Sequence, residues 1–494
     1  MARCIMVQGT MSGVGKSLLA AGLCRIFRQD GWRVAPFKGQ NMALNSFVTR
    51  DGLEMGRAQA VQAQAAGIEP DVRMNPVLLK PSSDTGSQLI VLGEVQGHYQ
   101  AAEYFRMRRS LLPEVLGAYE SLAAQYDIIV IEGAGSPAEI NLRDGDGFVN
   151  MGLAERVDAL VLLVGDIDRG GVFAQLYGTA ALLEPQEQAR IAGLVINKFR
   201  GDPALLEPGL AMLEEKTGIP VLGVVPYTRA DVDDEDSLAP RLEPDRPRRP
   251  VDVAVIRLPR ISNFTDFSPM EDHGALGVRY VDRAAGLGEP DLIVLPGTKS
   301  TMADLRWMRQ NGLEASVLKR AAAGTPVLGV CGGYQMLGET LADPEGTEGG
   351  GELRGMGLLP CATVFAPQKT RRQVRARALA EPFAGAEMDG YEIHMGRTRR
   401  SGGGPFCRLE SGEEEGTAAG LVFGTYLHGL FDSGRLTEQL ARWLLERKGL
   451  PAEQAGVEDR RAYRERQYDL LAEAVRSGLD MAAVYAAMER HAGR

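Results

Sequence analysis

The chain has 494 residues, of which 44% are hydrophobic and 24% charged, a globular composition with enough apolar material for more than one core. Its formal net charge of -10 excludes a global attraction to nucleic acid or to an anionic membrane surface, so basic residues act only locally. Five cysteines at positions 4, 24, 331, 361 and 407 show no paired spacing, nothing ahead of the first strand reads as a secretory or transit segment, and no apolar run approaches the roughly 18 residues of a membrane span. A soluble protein of the reducing cytoplasm is therefore expected.

Short apolar runs alternate with longer amphipathic stretches through the first half: CIMV (4–7), RVAPF (33–37), DIIVIEGAG (127–135), ALVLLVGD (159–166), GLVINKF (193–199) and VLGVVPY (221–227). That rhythm predicts strands joined by crossover helices, an α/β domain over 1–228 whose parallel sheet is covered on both faces. At 229–250 the texture turns acidic, then proline-rich and basic, with almost nothing to bury, which predicts a linker. A second strand-rich region, 251–447, begins at VDVAVIRLPRISNF and runs through DLIVLPGTKST and TPVLGVCGGYQMLG to LVFGTYLHGLFD. The remainder, 448–494, carries Tyr468, Leu471 and Val475 at helical spacing, so it is expected to form one or two helices packed on a neighbour.

The first strand runs into MVQGTMSGVGKSLLA, a glycine-bearing turn followed by a helix. Backbone N–H groups and a helix N-terminus in that arrangement surround phosphate oxygens. Gly9, Thr10, Gly13, Gly15, Lys16 and Ser17 are the candidate ATP-binding residues, Lys16 reaching the terminal phosphates and Ser17 ligating Mg2+. The first glycine stands one place early for the usual motif. It and Thr10 resemble the loop of dethiobiotin synthetase and its relatives, whereas the related partition and septum-placement ATPases carry a lysine where this chain has Met11. Glu132, at the C-terminal end of an apolar strand, is a candidate metal ligand, although a strand-end acid is often only a surface residue. DIDRGGVF (166–173) offers Arg169 for anionic oxygens, or simply a tight turn. Asn197 of INKF is a candidate for the adenine edge, on a weak local signal.

The second half holds a different chemistry. In PVLGVCGGYQ (326–335) an apolar strand meets Cys331 among small residues and then a helix, the pattern of a nucleophile elbow; the competing reading is a buried structural cysteine. The G-x-C-x-G-x-Q pattern resembles the class I glutamine amidotransferases, which implies a thioester with glutamine and release of ammonia. The backbone N–H of Gly332 and another from around Gly297 are then expected to stabilise the oxyanion. Of five histidines, His428 in GTYLHGLF lies where that family keeps its base, and His394 in YEIHMGRT competes for the role. Many members place a glutamate two residues beyond the histidine. Leu430 stands there instead, so a third member is missing or comes from elsewhere in the chain.

A dethiobiotin-synthetase-like half followed by an amidotransferase half resembles the CobB/CobQ family of cobalamin-pathway amidases. VAPFKGQNMALNSFVT (34–49) is similar to the branch of that family that amidates the b, d, e and g carboxylates of adenosylcobyrinic acid a,c-diamide. GTKSTMADL, CGGYQMLG, YEIHMG, GTYLHGLFD and YRERQYDLLAEAVR are similar to it too, so the likeness spans essentially the full chain. It implies ATP, Mg2+, L-glutamine and a corrinoid as ligands, with no nucleic acid or membrane partner, and leaves the oligomeric state open. Lys38, Gln40, Asn41 and Asn45 are expected around the incoming carboxylate or the phosphates, with Glu54 as an additional metal ligand. The sister branch acting on the a and c carboxylates, an amidoligase for another acid, and an ATP-driven switch are the alternatives, the last disfavoured by Met11 and by the Cys331 elbow.

Overall fold

A computed structural model describes residues 2–83, 85–139, 147–233, 249–451 and 460–492. The six apolar runs of the first half form one parallel sheet, in the spatial order Val221–Pro226, Ile191–Phe199, Leu160–Asp166, Arg3–Gly9, Ile128–Glu132 and Val34–Phe37. Both faces are covered, so the central strands are continuously apolar rather than alternating. Met6, Ile129 and Leu163 face one core, while Ile5, Val130 and Leu162 face the other. All six strands point the same way, so their C-terminal ends, and the loops that follow them, gather along one edge.

A second, parallel sheet carries the other half, in the order Leu276–Val281, Val251–Ile256, Leu292–Leu295, Val327–Val330 and Val422–Thr425, closed by the antiparallel edge strand Thr417–Ala419. Its separate core includes Ile256, Val294, Val330, Phe423 and Leu430. Leu430, the residue in the family's usual glutamate position, is simply part of this core. A further sheet is built on a long hairpin, Cys361–Ala378 with Glu387–Arg400, and its edge pairs Tyr391 with His428.

Two features modify the expected organisation. Residues 40–100, for which the sequence reading named no strands, contain a four-stranded sheet (Gln40–Met42, Val77–Pro81, Gly86–Val91, Glu94–Gln100) and a small hairpin (Ser46–Val48, Glu54–Gly56). The start of the expected linker is also packed: Val232 is buried, and Asp233 accepts hydrogen bonds from the Arg57 guanidinium at 2.6 and 3.1 Å. Buried pairing of this kind is the opposite of a solvated linker; residues 234–248 lie outside the described structure.

The tail forms helices Arg460–Gly478 and Met481–Ala492. Their neighbour is mainly the first domain, reached from the far end of the chain. Tyr468, Leu471 and Val475 are buried against the helix Lys16–Gln29 that follows the glycine-rich turn. Gly22 of that helix leaves room for Val475, since a Cβ there would stand 2.7 Å from Val475 Cγ2. Arg25 donates to Asp469 at 2.7 Å and to Glu465 at 2.8 Å. The same tail helix reaches the second domain through Arg464, which donates to Asp432 at 2.5 Å.

Candidate active sites in two domains

The glycine-rich turn has the geometry its sequence requires. Gly13 and Gly15 have φ of 76° and 96°, a region in which a side chain is strained, and Gly15 caps the helix that begins at Lys16. The Lys16 ammonium folds back onto the carbonyls of Met11 and Gly135, both at 3.0 Å, and so sits in the concavity of the loop. Thr10 donates to Gln175 Oε1 at 3.2 Å. Gly9 permits the turn by close approach: a Cβ there would meet Val14 Cγ2 at 2.5 Å.

Ser17 and Glu132, far apart in sequence, meet at the end of the sheet, where Ser17 Oγ donates to Glu132 Oε1 at 2.9 Å. Lys38 reaches the same carboxylate oxygen at 2.8 Å, and Gln62 and Gln59 reach Oε2 at 2.6 and 3.2 Å. Burial would raise the Glu132 carboxyl, but the Lys38 charge with the Gln62 and Ser17 hydrogen bonds holds it below the usual carboxylate range. The loop beyond Glu132 is pinned by Asn150, which exchanges hydrogen bonds with the Ala134 backbone at 2.6 and 3.0 Å.

Asn197 lies against the turn rather than at a distance from it, donating to Val14 O at 2.8 Å. Its neighbour Lys198, not singled out in the sequence, adopts a φ of 63° and donates to Gly13 O at 2.6 Å and Asp166 Oδ2 at 2.8 Å. Arg169 is exposed at the rim, its guanidinium 3.9 Å from Asp166. These residues line a cavity of about 1040 Å3, large enough for a nucleoside triphosphate. Tyr227, Arg229 and Asp231 continue its wall, as do Leu471 and Val475 of the tail helix. Arg200 stacks over the Tyr227 ring at 3.5 Å.

The residues expected around the substrate carboxylate divide among three places. Lys38 is on Glu132, and Asn41 is one step removed, donating to Gln59 Oε1 at 2.9 Å. Gln40 accepts from the Tyr104 hydroxyl at 2.6 Å. Asn45 instead lies in the seam between the domains, where Asn263 N donates to Asn45 Oδ1 at 2.7 Å and Ser46 N donates to Asn263 Oδ1 at 3.1 Å. Glu54 departs furthest from expectation. Its fully buried carboxylate is taken by Lys80 at 2.9 Å and Lys369 at 2.5 Å. Two ammonium groups pair with it at the seam.

In the second domain, Cys331 stands between the strand Val327–Val330 and the helix Gly332–Leu337 with φ 53° and ψ -109°. This is a costly conformation for a side-chain-bearing residue, of the kind held by surrounding structure at reactive positions. The neighbouring glycines are required by space: a Cβ on Gly332 would stand 2.6 Å from Thr298 Cγ2, and one on Gly333 would run into Leu295. Among the described residues the Gly332 and Gly297 N–H groups donate to no backbone carbonyl. Gly297 also packs directly on His428, where a Cβ would be 3.1 Å from Cε1.

His428 Nδ1 bonds Asp266 Oδ2 at 2.6 Å, and Asp266 Oδ1 accepts from Gly429 N at 2.9 Å. Asp266, on the short turn Phe264–Phe267, therefore occupies the place a third member would take beside His428. The imidazole is buried and stacked on Tyr391 at 5.4 Å. Burial alone would lower its pKa, yet Asp266, with a contribution from Cys331, raises it to about 10. The protonated imidazole is thus favoured beside the Cys331 sulfur. His394 has the opposite setting. Burial lowers it to about 4, its Nδ1 bonds Gly396 O at 2.7 Å, and its ring lies on Tyr426 at 3.7 Å.

The cavity in front of Cys331 is lined by His428, His394, Gln335, Thr298, Lys299 and Glu348, and also by Lys80 of the first domain. Cys331 therefore faces the seam.

Comparison with known proteins agrees with both halves. Residues 5–238 match the CobQ/CobB/MinD/ParA nucleotide binding domain and residues 252–436 the CobB/CobQ-like glutamine amidotransferase domain, which together define an enzyme with a nucleotide-binding half and an amidotransferase half. The chain is 52% identical to the cobyric acid synthase of Lachnoclostridium phytofermentans, with 99% of each chain covered. It is 53% identical to that of Ruminiclostridium cellulolyticum and 50% identical to that of Klebsiella pneumoniae, in both cases over 99% of this chain and 98% of the relative. The chain belongs to the cobyric acid synthase family.

Proposed function

We propose that this enzyme couples ATP cleavage to glutamine hydrolysis and converts the b, d, e and g carboxylates of adenosylcobyrinic acid a,c-diamide to amides, giving adenosylcobyric acid. The observation that carries this reading is the Cys331, His428 and Asp266 constellation opening onto a wall formed in part by the nucleotide-binding domain.

A carboxylate does not exchange its oxygen for nitrogen unaided, because hydroxide is a poor leaving group and ammonia is consumed by proton transfer to the acid. Phosphorylation removes both obstacles. A substrate carboxylate oxygen attacks the terminal phosphorus of ATP, ADP leaves, and the resulting acyl phosphate accepts ammonia at its carbonyl carbon with loss of phosphate. Lys16 and the backbone N–H groups of residues 13 to 17 bind the phosphates, Asn197 and Lys198 hold the loop that carries them, and Arg169 closes the rim. Ser17 and Glu132 are the residues to hold Mg2+. Among the described residues no group of three or more His, Cys, Asp or Glu side chains is placed to bind a metal, and a hydroxyl, one carboxylate and phosphate oxygens are a donor set that suits magnesium. Bound there, the ion would neutralise charge on the terminal phosphate. Lys38 then passes from Glu132 to the phosphates or to the incoming carboxylate, the polar arm formed by Gln59 and Asn41 remaining on the Glu132 side.

In the second domain the Cys331 thiolate attacks the glutamine amide carbon. His428, already protonated, delivers its proton to the departing nitrogen, and ammonia leaves. The N–H groups of Gly332 and Gly297 stabilise the oxyanion, and water hydrolyses the thioester to glutamate. No helix of the described residues is long and apolar enough to cross a membrane, and we place the enzyme in the cytoplasm with its substrates. The test is mass spectrometry of the corrinoid after incubation with ATP, magnesium and glutamine labelled with heavy nitrogen at the amide. Stepwise uptake of the label at each of the b, d, e and g positions is expected; an unchanged corrinoid contradicts the proposal.

A further inference from the structure

The strand Glu387–Arg400 touches both Cys331 and His428. Ile393 O accepts from Cys331 Sγ at 3.6 Å, and Tyr391 pairs with His428 across the edge of the hairpin sheet. Gly390 allows that close pairing, since a Cβ there would run into His428 O. The Tyr391 ring lies nearly parallel to the imidazole, with centroids 5.4 Å apart and an angle of 21° between the planes. Asp266 thus holds the imidazole at its edge, through Nδ1, while Tyr391 covers a face.

The other end of Tyr391 is held by the first domain. Its hydroxyl donates to Ser46 O at 3.3 Å, and its ring meets that of Phe47 with centroids 6.1 Å apart. Val48 joins Tyr391 and Ile393 in a small buried cluster across the seam, and Gln373 of the adjoining strand donates to Val48 O. The segment offering these contacts is tied in turn to Glu132. Asn45 O accepts from Arg57 N at 3.3 Å, and the helix Arg57–Ala66 carries Gln59 and Gln62 onto that carboxylate. Four charged side chains stand around the phenol: Asp266 and Asp432 of the amidotransferase domain, with Arg57 and Asp233 from the other side. Burial and the three carboxylates outweigh Arg57 and hold the phenol well above its usual pKa, so the hydroxyl stays a donor.

A cation against an aromatic face is attracted by the ring quadrupole, and more strongly where water is excluded. Both rings are shielded in this way, His428 being 1% and Tyr391 5% exposed. We propose that Tyr391 is a positioning residue for the glutaminase base: its ring face holds the protonated His428 imidazole, and its hydroxyl is anchored by Ser46 of the nucleotide-binding domain. The proposal rests on the glutamine-hydrolysing reading of the Cys331 site. Among the titratable groups that face His428, Asp266 and the Cys331 sulfur favour the protonated form, while His394, lowered to about 4, is neutral and adds no opposing charge. Tyr391 therefore adds to Asp266 rather than competing with it. Because its anchor lies across the seam, the base is fully set only when the two domains are docked.

The test follows glutamine hydrolysis against pH in the full-length enzyme carrying Tyr391→Phe, then phenylalanines of increasing ring fluorination at the same position. Phenylalanine keeps the face and removes the tie to Ser46. Its kcat should fall by about 2- to 10-fold, the worth of one neutral hydrogen bond, with KM for glutamine unchanged. Fluorination withdraws electron density from the face at nearly constant shape, so the alkaline limb should step down through the series, by about one pH unit at the fully fluorinated ring. A packing role leaves that limb in place. Amidation from ammonium checks that each variant is folded, and the partly fluorinated members give the same trend if the fully fluorinated protein does not fold. A limb unmoved by fluorination overturns the role of the ring. An unaltered kcat in Tyr391→Phe, or an effect carried by KM instead, overturns the anchoring by Ser46. An unsubstituted enzyme that hydrolyses no glutamine overturns the reading of the Cys331 site itself, whatever Tyr391 does.

Discussion

Asp266 supplies the negative charge that the neighbourhood of His428 lacks. With Leu430 buried in the core, the imidazolium is stabilised from a turn 162 positions earlier in the chain, at 2.6 Å. Asp266→Asn keeps the shape and removes the charge. Glutaminase kcat should fall by about 10²- to 10⁴-fold, the usual worth of a correctly charged and oriented acid–base group. The pH profile provides a sign. The histidine pKa is raised in the folded protein, to about 10, so the protonated form persists through neutrality and is lost only as pH rises through that value. Without Asp266 the alkaline limb should move down toward the ordinary histidine range. An unmoved limb would mean that another group delivers the proton. At the other site, Lys16→Ala should stop amidation with glutamine or with ammonium as the nitrogen source, measured as corrinoid product; retained turnover would remove the glycine-rich loop from the mechanism. The two motif anchors were legible because each is local, a glycine-rich turn or a cysteine between small residues. Asp266 was not, because a triad member from a distant turn leaves no spacing to read, and its surroundings, NFTDF, look like an ordinary aromatic core segment.

At the scale of elements, the strands of both parallel sheets were legible for a physical reason: sheets buried on both faces are written as uninterrupted apolar runs. The short strands between Gln40 and Gln100 were not, since the outer strand Glu94–Gln100 alternates exposed and half-buried residues and the others are three to six residues long. The Glu54 carboxylate, expected on metal, lies in a small hairpin that turns it toward Lys80 and Lys369, a placement no local pattern announces. The tail helix was legible from Tyr468, Leu471 and Val475, though not its docking on the helix after the glycine-rich turn, which depends on Gly22 and on Arg25. Leu471 is 1% exposed and lines the nucleotide cavity. Leu471→Ala should therefore cost about 2–5 kcal/mol in denaturant unfolding and also raise the KM for ATP. A stability loss with ATP affinity untouched would show that the tail supports the fold without shaping the nucleotide site.

At the scale of the whole molecule, the seam carries matched polar contacts: Asn263 with Asn45 and Ser46, and Glu54 between lysines from the two domains. Burial would raise the Glu54 carboxyl, but Lys369 and Lys80 hold it far below its usual range, while burial brings Lys369 down to about 7. A depressed carboxylate contributes stability that is present above its unfolded pKa and lost as pH falls toward the folded value. Glu54→Gln removes the counter-charge that Lys80 and Lys369 share and should cost about 3–5 kcal/mol at neutral pH. That deficit should shrink on acidification, as followed by urea unfolding; a deficit independent of pH would contradict the charge account.

The central claim is that one domain makes ammonia and the other consumes it on an activated acid. Cys331→Ala tests it most directly, with corrinoid product measured by mass spectrometry in the presence of ATP and either glutamine or ammonium. The account predicts no amidation from glutamine and amidation from ammonium at a rate close to that of the unaltered enzyme. Loss of both, or retention of glutamine-dependent amidation, would contradict it.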